Sequence, residues 1–250
     1  MKNELNVLKK ARLLKGMKIS DIAIRDHNLH NVNERKFNKS SIANIIETDY
    51  FKIPTNSLRE KDFFSVYNVD IELKVSPLKY VRGKKGNILT TKERNVISMV
   101  DYHDIYNNKS WEESKLFNKL NNILFVLYIH DNNISPSNWV IEEVFYWKLD
   151  NHYKSLISND YNIMRENILG GKALREGDHF FLATCPKHGG GYKKNNPMSS
   201  KKSSLSKHPI IPYAEKRGFC IKREAFIEMI CKETNKKIIY EGRTRGYYKS

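Results

Sequence analysis

The sequence predicts an α/β fold with a mixed central sheet flanked by helices, and three patterns lead to that prediction. Residues 69–77 (VDIELKVSP) alternate apolar and ionisable side chains, as in a strand with one buried face. Residues 123–130 (ILFVLYIH) are an apolar run typical of a strand covered on both faces. Other segments carry apolar residues three and four positions apart, which predicts helices between the strands. At 250 residues, we expect one domain with two lobes.

The first part of the chain predicts helices followed by a strand hairpin. Residues 3–14 have helical spacing, and a second short helix is expected to begin at Ser20 as its N-cap. In residues 38–51, either Ser40 or Ser41 offers a cap, and the apolar stripe beside Glu47 consists of Ile42, Ile45 and Ile46. Strands are expected in FFSVYNV (63–69) and IELKVSPLKYV (71–81), with a turn in RGKKGN (82–87).

The second part continues the alternation. Helices are predicted at residues 111–122, at 159–171, where two glycines end the helix, and at 223–233. Strands are predicted at residues 123–130, 139–149, 179–185 and 218–222. The pattern therefore predicts a mixed sheet rather than an all-helical or all-β protein.

The charge balance indicates a polyanionic partner. Lys and Arg number 44 against 28 Asp and Glu, so the formal net charge is +16. Such an excess attracts nucleic acid or an anionic membrane surface. Nucleic acid is favoured, because no apolar run is long enough to span a bilayer and no basic helix has a strong apolar face. The first 20 residues lack the features of a signal peptide, so we expect a cytoplasmic protein.

Cysteines and low-complexity segments complete the survey. Cys185, Cys220 and Cys231 do not suggest a disulfide framework, and CPKH (185–188) lacks a second pair of zinc ligands nearby. Residues 186–209 are rich in Gly, Ser, Asn and Lys, and predict a flexible basic loop that is either a plain surface insertion or orders on a phosphate backbone. In the basic tail, residues 242–250, Tyr247 and Tyr248 can stack on a base or lie on the surface.

The polar face of residues 69–77 carries the candidate chemistry. Phosphodiester hydrolysis uses a hard cation held by a few carboxylates, which acidifies a water and neutralises charge on the phosphate. The pattern D-x9-E-x-K occurs as Asp62, Glu72 and Lys74, and the one-residue spacer puts the last two on one strand face. Asp70 shares that face, so geometry alone leaves Asp70 open as a ligand in place of Asp62. The pattern favours a metal-dependent nuclease.

The sequence around this pattern resembles that of the MutH-type endonucleases. The resemblance extends from about residue 18 to GFCIKREAF (218–226) and is closest over residues 38–130. That family contains the mismatch-repair nickase MutH and type II restriction enzymes that cut at GATC. The resemblance implies the PD-(D/E)xK restriction-endonuclease-like core, with two arms forming a DNA cleft, and a single nuclease domain over residues 1–250. It also implies magnesium as the cofactor and double-stranded DNA as the partner.

The resemblance further assigns roles to individual residues. Asp62 and Glu72 match metal-binding carboxylates, which favours Asp62 over Asp70, and Lys74 matches a catalytic lysine. Glu47 matches an acidic residue that completes the site, and Lys119 matches a second active-site lysine, although an ordinary surface lysine is the alternative. DNA contacts are expected from Pro186, Lys187, His188, Lys193, Lys194, Arg217 and Lys222.

The sequence departs from the family where bases are read. Cys185 stands where the family has the Arg of an Arg-Pro-Lys turn, and Cys220 stands at or next to a family tyrosine. Because Arg is the side chain best suited to bidentate contact with guanine, GATC recognition here requires Lys187, His188 or a residue of the long loop to replace it. Three functions stay open: a type II restriction endonuclease, possible as a homodimer on a palindrome; a MutH-like strand-nicking enzyme; and an inactive DNA-binding module.

Overall fold

A computed structural model of the chain describes residues 2–24, 39–54, 61–108, 110–175, 180–187 and 205–249. The chain divides into two compact units. Unit 1 draws on residues 1–93, 122–148 and 226–250, and unit 2 on residues 94–121 and 149–225. Within the described ranges, no helix is both long and apolar enough to cross a membrane.

Unit 1 is built on a four-stranded mixed sheet, as the sequence predicts. Its strands are β1 (Glu72–Gly83), β2 (Gly86–Thr91), β4 (Asn122–Ile129) and β5 (Ile141–Lys148), in the order β2-β1-β4-β5. The hairpin β1–β2 and the pair β4–β5 are antiparallel, whereas β1 and β4 are parallel, with Glu72 opposite Ile123 and Leu78 opposite Ile129. A parallel pair requires a long crossover, and residues 94–121 of unit 2 lie within that connection.

Helices pack on both faces of this sheet. The described helices of the N-terminal part are α1 (Lys2–Arg12), α2 (Ile19–Ile22), α3 (Lys39–Asn44) with its π-helical continuation (Ile45–Tyr50), and α4 (Phe64–Tyr67). Their apolar side chains share one core with Ile71, Leu73 and Val75 of the β1 region. On the opposite face, Phe125 of β4 packs against Phe226 of α8 (Arg223–Thr234), with ring centroids 5.1 Å apart.

In the alternating segment, residues 69–77, the apolar side chains have the expected burial but the polar side chains do not. Ile71, Leu73 and Val75 are buried, which confirms that face. Glu72 and Ser76 are also buried, at 3% and 0% exposed, because β1 is an inner strand of a sheet covered on both faces. The polar face of β1 is therefore not an ordinary solvated edge.

Two local predictions are wrong. FFSVYNV is not a strand: Phe64–Tyr67 form a single helical turn that ends at Asn68, whose φ of 52° is left-handed. A short apolar run does not reveal its own period, and only Phe63 of this segment's aromatic residues is fully buried. The second helix has Lys18 as its N-cap, two residues before the expected N-cap at Ser20, and its first helical residue is Ile19.

The C-terminal tail is largely part of the fold of unit 1. Strands β10 (Ile239–Glu241) and β11 (Thr244–Gly246) form a hairpin, and Tyr247 exchanges two main-chain hydrogen bonds with Leu89 of β2. Tyr247 is fully buried, so the expectation that it stacks on a base or lies on the surface is wrong. Tyr248 is 38% exposed.

Unit 2 contains a second, smaller sheet. Strands β3 (Asn95–Met99), β9 (Arg217–Ile221) and β6 (Leu182–Pro186) form an antiparallel sheet in the order β3-β9-β6, and β7 (Leu205–Lys207) pairs with β8 (Tyr213–Glu215). Its described α-helices are α5 (Tyr102–Asn107), α6 (Lys115–Leu120) and α7 (Asn151–Leu169). Of the predicted basic loop, residues 188–204 lie outside the described residues.

Candidate active site

Glu72 and Lys74 form the centre of the candidate site. They lie two residues apart at the start of β1, so their side chains are on the same face of the strand. Lys74 Nζ donates a hydrogen bond to Glu72 Oε1 at 2.5 Å. The two side chains are only 17% and 4% exposed, which means that this ion pair is shielded from water. A shielded pair of this kind acts more strongly on a nearby phosphate than an exposed pair does.

Asp62 is held beside this strand by two hydrogen bonds. The main-chain N–H of Phe63 donates to the carbonyl of Ile71 at 3.2 Å, which brings residues 61–63 back to the beginning of β1. The N–H of Leu73 then donates to Asp62 Oδ2 at 2.8 Å. Leu73 lies between Glu72 and Lys74 in the chain, so this bond sets the Asp62 carboxylate next to them.

Glu47 joins the same group of charges from the helical side of unit 1. It lies in the π-helical segment, where the N–H of Phe51 bonds to the carbonyl of Ile46. Burial raises the pKa of Glu47 to about 7, and the negative charges of Asp62 and Glu72 act in the same direction, whereas Lys74 opposes them. Asp62, Glu72 and Lys74 therefore each lie within electrostatic reach of Glu47. All four residues belong to unit 1.

Asp70 is engaged elsewhere in unit 1. Its Oδ2 accepts a hydrogen bond from Lys61 Nζ at 2.9 Å and another from Asn122 Nδ2 at 3.3 Å. The side chain is 63% exposed, in contrast to the shielded Glu72. Between the two aspartates, the geometry therefore favours Asp62 as the partner of Glu72.

The carboxylates suit a hard divalent cation in their chemistry. Mg²⁺ prefers oxygen ligands and keeps several of its waters, so two or three carboxylates are enough to hold it. Burial is the main cause of the raised pKa of Glu47, and the negative charges of Asp62 and Glu72 add to it, so a bound cation would favour the charged carboxylate. Among the described residues, however, no three His, Cys, Asp or Glu side chains already have the arrangement of a metal site. The residues fit magnesium by type, without a preformed cage.

Lys119 lies in unit 2. It occupies the last turn of α6, a helix capped by Ser114, whose Oγ accepts a hydrogen bond from the N–H of Phe117 at 3.2 Å. The residue is half-buried rather than fully exposed.

The residues expected to contact DNA also belong to unit 2, and they differ in exposure. Pro186 is exposed, and Lys187 and Lys222 are half-buried. Arg217 is 7% exposed, and its guanidinium is hydrogen-bonded to Glu215 and Thr184, so it is not presented to an external phosphate. His188, Lys193 and Lys194 lie outside the described residues.

The two cysteines at the positions expected from the resemblance to read bases are neighbours in the small sheet of unit 2. Cys185 on β6 is 8% exposed and Cys220 on β9 is fully buried. A hydrogen bond between the thiols lowers the pKa of Cys185, and the positive charges of Lys187 and Arg94 lower it further. Neither buried thiol offers the reach or the two donors that bidentate contact with a guanine requires.

Sequence reasoning missed the two main-chain features that assemble the site. No pattern in the sequence marks the N–H of Leu73 as the group that fixes Asp62, and none marks the π-helical segment that carries Glu47. π-helical turns do occur frequently at functional sites, but their i→i+5 hydrogen bonds have no recognised sequence signature.

Comparison with known proteins gives one family match. Residues 51–160 match the family model described as DNA mismatch repair enzyme MutH. Asp62, Glu72, Lys74 and Lys119 fall within the matched residues, and Glu47 precedes them. No curated protein matches the chain.

Proposed function

We propose that this chain, placed in the MutH-type endonuclease family by residues 51–160, is a magnesium-dependent type II restriction endonuclease. Its substrate is double-stranded DNA, which it cleaves at a short palindrome, with GATC as the first sequence to test. The single observation that carries this proposal is the grouping of Glu47, Asp62, Glu72 and Lys74 in unit 1.

The four side chains supply complementary functions. Asp62 and Glu72 are the proposed magnesium ligands, and Glu47 completes the acidic group. A bound magnesium ion supplies a Lewis acid that activates water and neutralises charge on the phosphate. Lys74, now paired with Glu72, stabilises the negative charge that develops on the scissile phosphate. Lys119 is the proposed second lysine, which holds the phosphate.

The rest of the chain supports a nucleic-acid substrate. The net charge of +16 favours association with the phosphate backbone. Pro186, Lys187 and Lys222 remain proposed DNA contacts, together with His188, Lys193 and Lys194. Arg217 is not among the proposed contacts, because its guanidinium is already bonded to Glu215 and Thr184. With Cys185 and Cys220 at the base-reading positions, specificity within the palindrome is assigned to the remaining polar side chains of this region.

Digestion of a supercoiled plasmid tests the proposal directly. We expect linear DNA in magnesium, no cleavage in a chelator, and cut ends that share one short palindrome. Glu72→Ala should lose at least about a hundredfold in cleavage rate, because a metal-binding oxygen is removed. The same variant should retain DNA binding in a gel-shift assay.

Asp70→Ala is the matched control. It removes a carboxylate two residues from Glu72, but one that is exposed and paired with Lys61. We expect its cleavage rate to stay close to that of the unmodified protein. Equal cleavage by both variants, or loss of activity only in Asp70→Ala, contradicts the assignment of Glu72.

Strand nicking is the second candidate function, because the matched family model is described by the mismatch repair enzyme. The plasmid assay separates the candidates: a type II enzyme produces linear DNA and a nickase produces open circles. An inactive DNA-binding module retards the plasmid without cutting it.

A further inference from the structure

A polar cavity lies in unit 1, away from the acidic group. Its volume is about 440 Å³, and besides Tyr80 and the carboxylate of Asp131 it is lined by Lys79, Lys92, His130, Asn87, Asn132 and Asn133. The last six are the candidates for ligand binding. Three of these side chains carry basic nitrogens and three carry amides. The proposed endonuclease site uses none of them.

The basic groups are close together. Lys92 Nζ lies 2.6 Å from His130 Nε2, so the ammonium donates to the lone pair of a neutral imidazole. The imidazole ring packs on Trp139, with centroids 4.4 Å apart, which restricts its orientation. Lys79 adds a second ammonium that acts electrostatically on Lys92, on which the carboxylate of Glu93 acts more strongly in the opposite direction. Protonation of His130 would place three positive charges at this cavity.

Two carboxylates near His130 offset part of the positive charge. Asp131 and Glu93 both raise the pKa of His130, whereas burial and then the positive charge of Lys92 lower it. Asp131 Oδ1 also accepts a hydrogen bond from the N–H of Asn133 at 2.8 Å.

The cavity is separate from the candidate active site. Lys79 follows Leu78, which pairs with Ile129, whereas Glu72 pairs with Ile123 at the other end of the β1–β4 ladder. Six residues of strand separate the two pairs, which is roughly 20 Å. A ligand in this cavity therefore does not occupy the position of the scissile phosphate.

We propose that the cavity lined by Lys79, Lys92 and His130 binds a phosphate group. Lys92 and protonated His130 donate to its oxygens in place of their present contact with each other, and Lys79 contributes a third positive charge. The amides of Asn87, Asn132 and Asn133 supply neutral donors at the rim. The phosphate belongs either to a free phosphorylated small molecule or to a nucleic-acid backbone. This proposal does not depend on the endonuclease function.

The test is the titration of His130 followed by NMR of ¹⁵N-labelled imidazoles, with the resonance assigned by its absence in His130→Gln. We expect the pKa of His130 to rise in inorganic phosphate relative to chloride at equal ionic strength, because a bound anion stabilises the imidazolium. Lys92→Met should weaken the apparent phosphate affinity by about tenfold or more, as loss of a charge-assisted hydrogen bond predicts.

Two further variants make the result specific. Lys79→Met tests the cavity at an exposed position where misfolding is not a concern, and it should weaken phosphate binding as well. Lys85→Met removes the same charge from the exposed β1–β2 turn and should change phosphate affinity less than about twofold, since an isolated surface charge contributes little.

Comparing inorganic phosphate with a short DNA duplex decides the source of the phosphate. A response of His130 to inorganic phosphate supports a small phosphorylated ligand. A response only to a short duplex, in the absence of divalent ions, supports a backbone phosphate. A His130 titration that is unchanged by both ligands overturns the proposal, whatever the outcome of the plasmid assay.

Discussion

Glu47 occupies a position in which its own negative charge is unfavourable. Burial raises its pKa to about 7, well above the ordinary value of 4.5, and the nearby Asp62 and Glu72 contribute. A carboxyl group whose pKa is higher in the folded state stabilises the fold fully below pH 4.5. That contribution is lost as the pH rises through 7. A buried acidic group of this kind therefore lowers stability at neutral pH.

Glu47→Gln should raise the stability of the protein while lowering its cleavage activity. Without divalent ions at pH 8, we expect the variant to be more stable than the unmodified protein by roughly 2 kcal/mol, a value reduced for the partial exposure of Glu47. The difference should disappear near pH 4, where Glu47 is protonated. Cleavage in magnesium should fall at the same time. Urea unfolding across this pH range measures the stability difference.

Asp49→Asn is the control for this measurement. Asp49 lies in the same π-helical segment, but its Oδ2 accepts a hydrogen bond from the N–H of Ile24 at 2.9 Å, which favours the charged form. Its replacement should destabilise the protein. An increase in stability at pH 8 for both variants would contradict the explanation given for Glu47.

The residues of the site were predictable only in part from the sequence. The D-x9-E-x-K spacing and the family resemblance together identify Asp62, Glu72 and Lys74, but spacing alone does not distinguish Asp62 from Asp70. That distinction depends on hydrogen bonds between segments, namely those of Leu73 to Asp62 and of Lys61 to Asp70. Such tertiary contacts leave no periodic signal in the sequence.

Whole elements were more predictable where their hydrophobic pattern was long. The strands β1 and β4 present a clear period or an uninterrupted apolar run and occur near their predicted positions, whereas α7 begins at Asn151, eight residues before the predicted start at residue 159. The short segment Phe64–Tyr67 was misassigned because four residues cannot establish a period. The sequence predicts only a helix for the π-helical segment Ile45–Tyr50. The apolar stripe Ile42, Ile45 and Ile46 is buried in the core, and an α-helix and a π-helical turn are both compatible with that pattern.

The attachment of β6 to α7 provides a prediction at the level of elements. Asp160 of α7 is fully buried and accepts three main-chain hydrogen bonds, from Phe180, Phe181 and Leu182, at 2.9, 2.7 and 2.8 Å. These bonds fix the start of β6, the strand that ends at Pro186. Asp160→Ala leaves buried N–H groups without an acceptor, and we expect it to destabilise the protein by roughly 3–5 kcal/mol.

Glu166→Ala on the same helix is the control for Asp160→Ala. The Glu166 side chain is 74% exposed, and its ion pair with Arg165 is long, at 3.9 Å. Its removal should change stability by less than about 0.5 kcal/mol. Chemical denaturation of both variants gives the comparison, and equal stabilities would contradict the role assigned to Asp160.

For the molecule as a whole, the excess of positive charge dictates how DNA binding depends on salt. Each phosphate that the protein neutralises releases counterions, so affinity falls as salt rises. With a net charge of +16, we expect at least about six phosphate contacts. The plot of log affinity against log salt should then have a slope near −5, with roughly a thousandfold loss between 50 and 200 mM salt.

This salt dependence is measured by fluorescence anisotropy with Glu72→Ala, so that the duplex stays intact in magnesium. Phosphate contacts carry no sequence information, whereas base contacts change affinity without changing the number of counterions released. Duplexes with and without GATC should therefore give the same slope, displaced vertically if GATC is recognised. Parallel lines with no displacement would remove GATC as the recognition sequence while leaving the nuclease proposal intact. A slope near zero would contradict the inference that the positive charge of the chain serves DNA binding.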